Sequence, residues 1–188
     1  VKTDIGIRHD RARKLLIQPD GKILAVGTAE QYWGTPSSEA YRYPGDIAMV
    51  RYNTDGTLDN AFDTDGIMTN DMPGGPWSQP VLYDTVSDSL LMDDGSILVA
   101  GNATRYSYVG SFATLSKYSS SGAVLSEAVL DVQDAVVNQR VITSSQSGQT
   151  ASTLTVQPDG KILVGGEMDI GMFSHAVQTE LGTINQAY

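Results

Sequence analysis

No cysteine occurs anywhere in the 188 residues, which excludes a disulfide framework, thiolate catalysis and any cysteine-based metal centre. Nor is there an apolar run near the roughly 20 residues that a membrane-spanning helix needs. Histidine is scarce: His9 and His175 stand far apart in poorly matched segments. Positive charge is scarce too, with 12 Lys and Arg against 22 Asp and Glu and a formal net charge of -10. So acidic a surface repels phosphate backbones and anionic lipid, making nucleic acid and membrane surfaces poor partners. No nucleophile elbow, zinc-protease helix, phosphate loop or dinucleotide fingerprint occurs, and no cofactor is expected. No segment longer than a turn or two shows a 3.6-residue apolar period, so helix should be nearly absent. Val1 is not an initiator methionine, so the chain is expected to derive from a longer one. The lack of a leader peptide then says nothing about its destination.

What is present is a hairpin written three times. Leu16-Ile17-Gln18-Pro19-Asp20-Gly21-Lys22-Ile23-Leu24-Ala25-Val26-Gly27 returns as Leu91-Met92-Asp93-Asp94-Gly95-Ser96-Ile97-Leu98-Val99-Ala100-Gly101. It returns again as Val156-Gln157-Pro158-Asp159-Gly160-Lys161-Ile162-Leu163-Val164-Gly165-Gly166. Each copy reads as an apolar strand, a tight Asp-Gly turn needing positive φ, and a β-branched strand ending in glycine. A second hairpin is expected after each first one: Ile47 to Leu58 is matched by Ala113 to Val124, and more loosely by Asp169 to Ile184. The turn glycines Gly21, Gly95 and Gly160 lie 74 and 65 residues apart. Four short antiparallel strands at this period read as β-propeller blades, each burying its faces on its neighbours. A sandwich would not repeat its turn sequence three times, and a solenoid coil is shorter. The fold class expected is therefore all-β, with three four-stranded antiparallel units over about 1–66, 67–131 and 132–188, part of a larger propeller or assembly. The ends are in register: Gly182 to Tyr188 matches Gly56 to Phe62, and Val1 to Ile5 resembles Ile67 to Asp71.

Gln18 to Leu24, Arg51 to Asp59 and Gln157 to Val164 resemble the delta-60 repeat family of bacterial β-propellers. The units of that family read roughly Gln-Pro-Asp-Gly-Lys-Ile-Leu-Val, then Arg-Tyr-Asn-x-Asp-Gly-x-Leu-Asp. The match spans nearly all of the first repeat and the first hairpins of the other two. Asp93-Asp94 replaces Pro-Asp in the second, and the third has lost Tyr-Asn. The resemblance implies a long exported or surface protein of unassigned activity, secreted or on a bacterial cell, and it supplies no catalytic residues.

Candidate binding residues lie in the connections. In a four-stranded blade, the loop joining strands two and three shares a propeller face with the connection to the next blade. Tyr32, Trp33, Tyr41, Tyr43, Trp77, Tyr106 and Tyr108 all fall in such segments. Flat rings gathered there could stack on a glycan or anchor a protein, or could simply pack long loops onto the blades. The Asp-rich run Asn53 to Asp59 and Asp63 to Gly66 has oxygens for calcium but lacks the glutamate that closes an EF-hand loop. Asp-Gly is also the ordinary chemistry of tight turns, so no metal is expected. Glu30, Glu39 and Asp46 are carboxylates of the kind a glycosidase pairs, and nothing in their spacing separates them from surface charge. The function expected is a binding module outside the cell whose partners are other blades, protein subunits, a second copy or a glycan. A scaffold subunit and a hydrolase or lyase with carboxylates in a central channel are the alternatives.

Overall fold

A computed structural model describes residues 1–6, 9–30, 45–72, 81–105, 111–130, 135–137, 140–142, 148–169 and 174–181. No helix occurs among the described residues. The first blade comprises β1 (Asp10–Ile17), β2 (Ile23–Glu30), β3 (Gly45–Tyr52) and β4 (Ile67–Asn70), each antiparallel to the last. The second comprises β5 (Val81–Leu91), β6 (Ile97–Arg105), β7 (Ser111–Tyr118) and β8 (Val124–Leu130). One parallel pairing, Gly45 with Tyr83, joins the two blades into a continuous eight-stranded sheet. A small hairpin follows, β9 (Ala135–Val137) with β10 (Arg140–Ile142). The third blade shows β11 (Gln149–Val156), β12 (Ile162–Asp169) and β13 (Ser174–Leu181), and the place of a fourth strand falls outside the described residues.

The triple hairpin forms because each turn satisfies its own backbone. Gly21, Gly95 and Gly160 have φ of 82°, 79° and 83°, a region that only glycine enters without steric cost. The preceding aspartate folds back in each: Asp20, Asp94 and Asp159 accept the N–H of Lys22, Ser96 and Lys161 at 3.1, 2.9 and 3.2 Å. The second repeated glycine serves differently. β1, β5 and β11 share an extra residue at one place (Arg13, Ser87 and Ser152) where the register with the neighbouring strand shifts, and β5 has a second shift at Leu82. The bulge drives a carbonyl of the inner strand against the second, and a Cβ on Gly27, Gly101 or Gly166 would overlap the oxygen of Arg11, Thr85 or Thr150.

Both faces of the middle blade are covered, so β6 reads as an unbroken apolar run rather than an alternation. Ile97 and Val99 pack towards the first blade with Leu24, Val26, Ile47 and Met49. Leu98 and Ala100, pointing the other way, pack towards the third with Leu154, Ile162 and Val164.

The second hairpin of the first repeat differs from expectation. Beyond Gly56 only a single bridge, Tyr52 with Leu58, continues the pairing, and the fourth strand begins at Ile67. The reason is Asp59. Its N–H still bonds the Arg51 carbonyl at 2.9 Å while its carboxylate pairs with Arg51 at 2.6 Å and with Lys22 at 2.9 Å, and the ladder ends there. The chain then turns through Asp63 and Thr64, both at positive φ, and rejoins β3 when Arg51 N–H reaches the Gly66 carbonyl at 2.9 Å. In the second repeat the hairpin forms as expected, Tyr118 pairing with Val124 across Ser119–Gly122.

Candidate functional site: the blade seams

The seven ring-bearing candidates, Tyr32, Trp33, Tyr41, Tyr43, Trp77, Tyr106 and Tyr108, lie outside the described residues, as does Glu39. The Asp-rich run lies inside them, and its Asp55, Asp59 and Asp65 carboxylates are engaged locally. Asp55 accepts the N–H and hydroxyl of Thr57, Asp65 accepts Ile67 N–H, and Asp59 is held by Lys22 and Arg51. The Lys22 hydrogen bond, the Ala61 N–H and Arg51 keep the Asp59 carboxyl below the usual range against the pull of burial. Among the described residues no group of three or more His, Asp or Glu has the geometry to hold a metal ion. His9 is exposed, and His175 lies on β13 opposite Met168.

What the fold does gather is a set of polar residues along the two seams. On β2, Thr28 follows Gly27, and its hydroxyl accepts Val86 N–H of the second blade at 3.2 Å. On β6, Asn102 follows Gly101 at the matching position. Its Oδ1 accepts Ala151 N–H of the third blade at 2.7 Å, and its Nδ2 donates to Ala151 O at 3.3 Å. Alongside, Arg13 Nε donates to Ser87 O at 3.0 Å and Lys14 meets Asp88 at 2.6 Å. The other oxygen of Asp88 accepts Leu154 N–H at 2.9 Å, so one carboxylate ties together the inner strands of all three blades. Burial works against that charge, but the Lys14 hydrogen bond and the Leu154 and Ser89 N–H groups outweigh it and hold Asp88 below the ordinary carboxylate range.

A second cluster sits at the first seam. Asp84 on β5 is 2% exposed, and its Oδ2 accepts Met72 N–H at 2.7 Å while its Oδ1 is buried without a partner. The matching residue in the first blade, Asp10, has both oxygens filled by consecutive donors, Ile5 N–H at 2.7 Å and Gly6 N–H at 3.0 Å. After Met72 the next residue is Pro73, which has no N–H to give. Burial pushes Asp84 up to about 7; the Met72 N–H pulls against it, and the charges of Asp71, Asp46 and Glu127 add to it. Asp46 rises to about 6 through burial and then Asp71, and burial also raises Asp71 and Glu127. Glu127 is hydrogen-bonded by Asn70, which also reaches Tyr118 at 3.1 Å. A carboxyl titrating near neutrality is what proton transfer needs, but a general acid must also touch its substrate. The contact described for Asp84 is with the Met72 N–H.

Sequence reading by motif passed over Thr28, Asn102, Asp88 and Asp84. The signal was available: aligning the three repeats puts Thr28, Asn102 and Glu167 in one column directly after the close-approach glycine.

The family model described as "Domain of unknown function (DUF5122) beta-propeller" matches residues 18–62 and 157–171. Those segments hold the first and third Asp-Gly turns and the Asp-rich excursion as far as Phe62. No curated protein matches the chain. Among solved structures, an endo-arabinase from Bacteroides thetaiotaomicron aligns with a TM-score of 0.48 at 14% identity. The alignment covers 93% of this chain and 57% of that one, so the chain spans little more than half of that protein. Three antiparallel units stacked face to face on a repeated bulge and turn, with a β-propeller family model matching two of them, make this an all-β protein of propeller blades.

Proposed function

We propose that the chain is an exported interaction module built of delta-60-type blades, secreted or held on a bacterial surface, and that it binds through blade faces. The observation that carries this reading is a difference among equivalent positions. Leu15 and Ile17 on β1 are 64% and 73% exposed. Their counterparts in the second and third blades, Ser89 with Leu91 and Leu154 with Val156, are covered by the preceding blade. Exposed aliphatic side chains side by side on a sheet face mark an interaction surface. The delta-60 assignment is supported by the overlap of the family match with Gln18 to Leu24, Arg51 to Asp59 and Gln157 to Val164.

The test is a double substitution, Leu15→Asp with Ile17→Asp, compared with the unaltered chain in sedimentation and in binding of an apolar dye. The unaltered chain should associate and bind dye, and the variant should do neither while keeping its β-sheet circular dichroism. Identical behaviour of the two would end the reading. A second working surface is proposed at Tyr32, Trp33, Tyr41, Tyr43, Trp77, Tyr106 and Tyr108, whose rings suit a glycan or a protein partner. Titrating tryptophan fluorescence with soluble polysaccharides checks it, since stacking on Trp33 or Trp77 should shift the emission and neither substitution to alanine should leave the shift whole.

A further inference from the structure

One column of the inner strands is filled differently in each blade. Three residues before the shared bulge stand Asp10, Asp84 and Gln149. Asp10 has an N–H on each oxygen, and Gln149 is buried but uncharged. Asp84 is a buried carboxyl whose Oδ1 has no partner among the described residues. The register brings further acids to it from both sides of the first seam. Gly45 pairs in parallel with Tyr83, so the next residues along, Asp46 of the first blade and Asp84 of the second, lie side by side. Ile47 pairs with Asn70, which sets Asp71 next to Asp46. Asn70 also reaches across the seam to Glu127 on β8 and to Tyr118 on β7. Glu30 on β2, opposite Gly45, is a further acid at this end of the sheet. On β6, Ala103 stands opposite Asp84 and Arg105 opposite Val81. Among the described residues no lysine or arginine is ion-paired with any of these acids.

We propose that the first seam is a proton-operated joint, in which Asp46 and Asp71 of one blade and Asp84 and Glu127 of the next lie firmly together only while they hold protons. Two acids from each side meet with no ion-paired cation between them, so each proton lost adds like charge across the joint. Burial raises all four carboxyls, Asp84 to about 7 and Asp46 to about 6, and acidic neighbours add to the rise for Asp84, Asp46 and Glu127. Each folded value lies above its unfolded one, so the stabilisation present in acid is lost as pH rises through about 6 and then about 7. The loosening reaches the Met72 end of the linker. Met72 is 2% exposed, gives its N–H to Asp84 and takes the Ser116 hydroxyl on its sulfur at 3.0 Å. At the second seam Gln149 stands in the Asp84 column, and Asp88 is held by Lys14 and the Leu154 N–H. Of two joints built on the same bulge and glycine, the first alone then answers to pH near neutrality.

Hydrogen exchange of the whole chain, corrected for the intrinsic rate at each pH, reads the joint residue by residue. Between about pH 5 and 8, protection of the Met72 and Val86 amides should fall about tenfold or more, while that of Ala151 and Leu154 holds. Equal loss at both seams, or none at either, would overturn the proposal. Asp84→Asn should keep the first seam protected across the whole range. Asp46→Asn with Asp71→Asn removes charge from the first-blade side alone and should shrink the fall. An undiminished fall in that variant would overturn the sharing of the joint by both blades. NMR titration of the Asp84 carboxyl carbon in the unaltered chain gives a reading that no variant can spoil by misfolding. A midpoint near neutrality is expected, and one at the ordinary value of an aspartate would overturn the proposal.

Discussion

Where the first blade meets the second, the filling is Phe62, Tyr118 and the methionines Met49, Met68 and Met72 among aliphatic residues. Where the second meets the third, the buried residues described are Leu, Ala, Val and Ile, with Met92 packed against them. The backbone device is shared, with the same bulge, the same glycine and an acceptor in the same place, so the difference arises from what each blade sends across. After β3 the chain detours through residues 53–66 and delivers Phe62, 0% exposed, into the seam. The Phe62 ring lies under the Arg51 guanidinium at 4.8 Å and against Gly122, where a Cβ would come within 3.0 Å of it. Arg51 then donates to Ser120 O at 2.6 Å, and Asp63 N–H to Ser121 O at 3.1 Å, so the detour clasps the next blade's turn. After β7 there is no detour, and the polar ties described at the second seam come from Asn102, from Asp88 and from Ser111, whose Oγ donates to the Gln149 carbonyl at 3.2 Å. A repeat can therefore keep its stacking geometry while one joint gains a loop that clasps the next blade and another does not.

The largest test of this contrast is Phe62→Ala. Removing a fully buried ring costs about 3–5 kcal/mol in cavity and transfer terms. Urea denaturation should show that loss, and hydrogen exchange should rise in β3, β4 and β7 well before it rises in β12. Uniform loosening of all three blades would show that the two seams are not separable.

Next in size is a pH effect confined to the first seam. The folded value of Asp84, about 7, lies above its unfolded value, so the folded state binds the additional proton. Its stabilisation is complete below the unfolded pKa and is lost as pH rises through about 7; Asp46, at about 6, acts in the same direction. Between pH 5 and 8 the wild type should lose about 2–3 kcal/mol relative to Asp84→Asn, as the size of the shift implies. Parallel stability–pH curves for the two proteins would dismiss the effect.

Asn102→Ala addresses the second seam. It removes both bonds to Ala151 and leaves a buried N–H and C=O without partners, at a cost of about 1–3 kcal/mol. Faster exchange in β11 and β12, with β2 and β3 unchanged, is the expected signature. Smallest is Gly160→Ala. Nothing lies within 4 Å of the added Cβ, so only the left-handed φ of 83° resists it, worth about 1–2 kcal/mol. Gly166→Ala, which drives a methyl into the Thr150 carbonyl, should cost clearly more in the same unfolding assay.

Much of this was written locally. The three Asp-Gly turns, the strands around them and the order of the blades follow from short-range chemistry, because a tight turn closes on its own aspartate and its own glycine. The hairpin at Ser119–Gly122 is legible for the same reason. Its counterpart at Asn53–Gly56 misleads because the residue that diverts it, Asp59, is committed to Arg51 and Lys22, and Lys22 arrives from another turn.

Sequence alone determined which residues turn, which strands pair within a hairpin, and that the units repeat, since those depend on neighbours a few residues apart. Only the tertiary structure decided that Gly27, Gly101 and Gly166 are glycine to admit a carbonyl, that Asp88 ties three blades, and that Asp84 is left with one unpaired oxygen. It also decided that Leu15 and Ile17 stand uncovered where their repeats do not. The Asp88 ties span 74 and 66 residues of chain, and burial belongs to the stack of blades rather than to any hairpin within it.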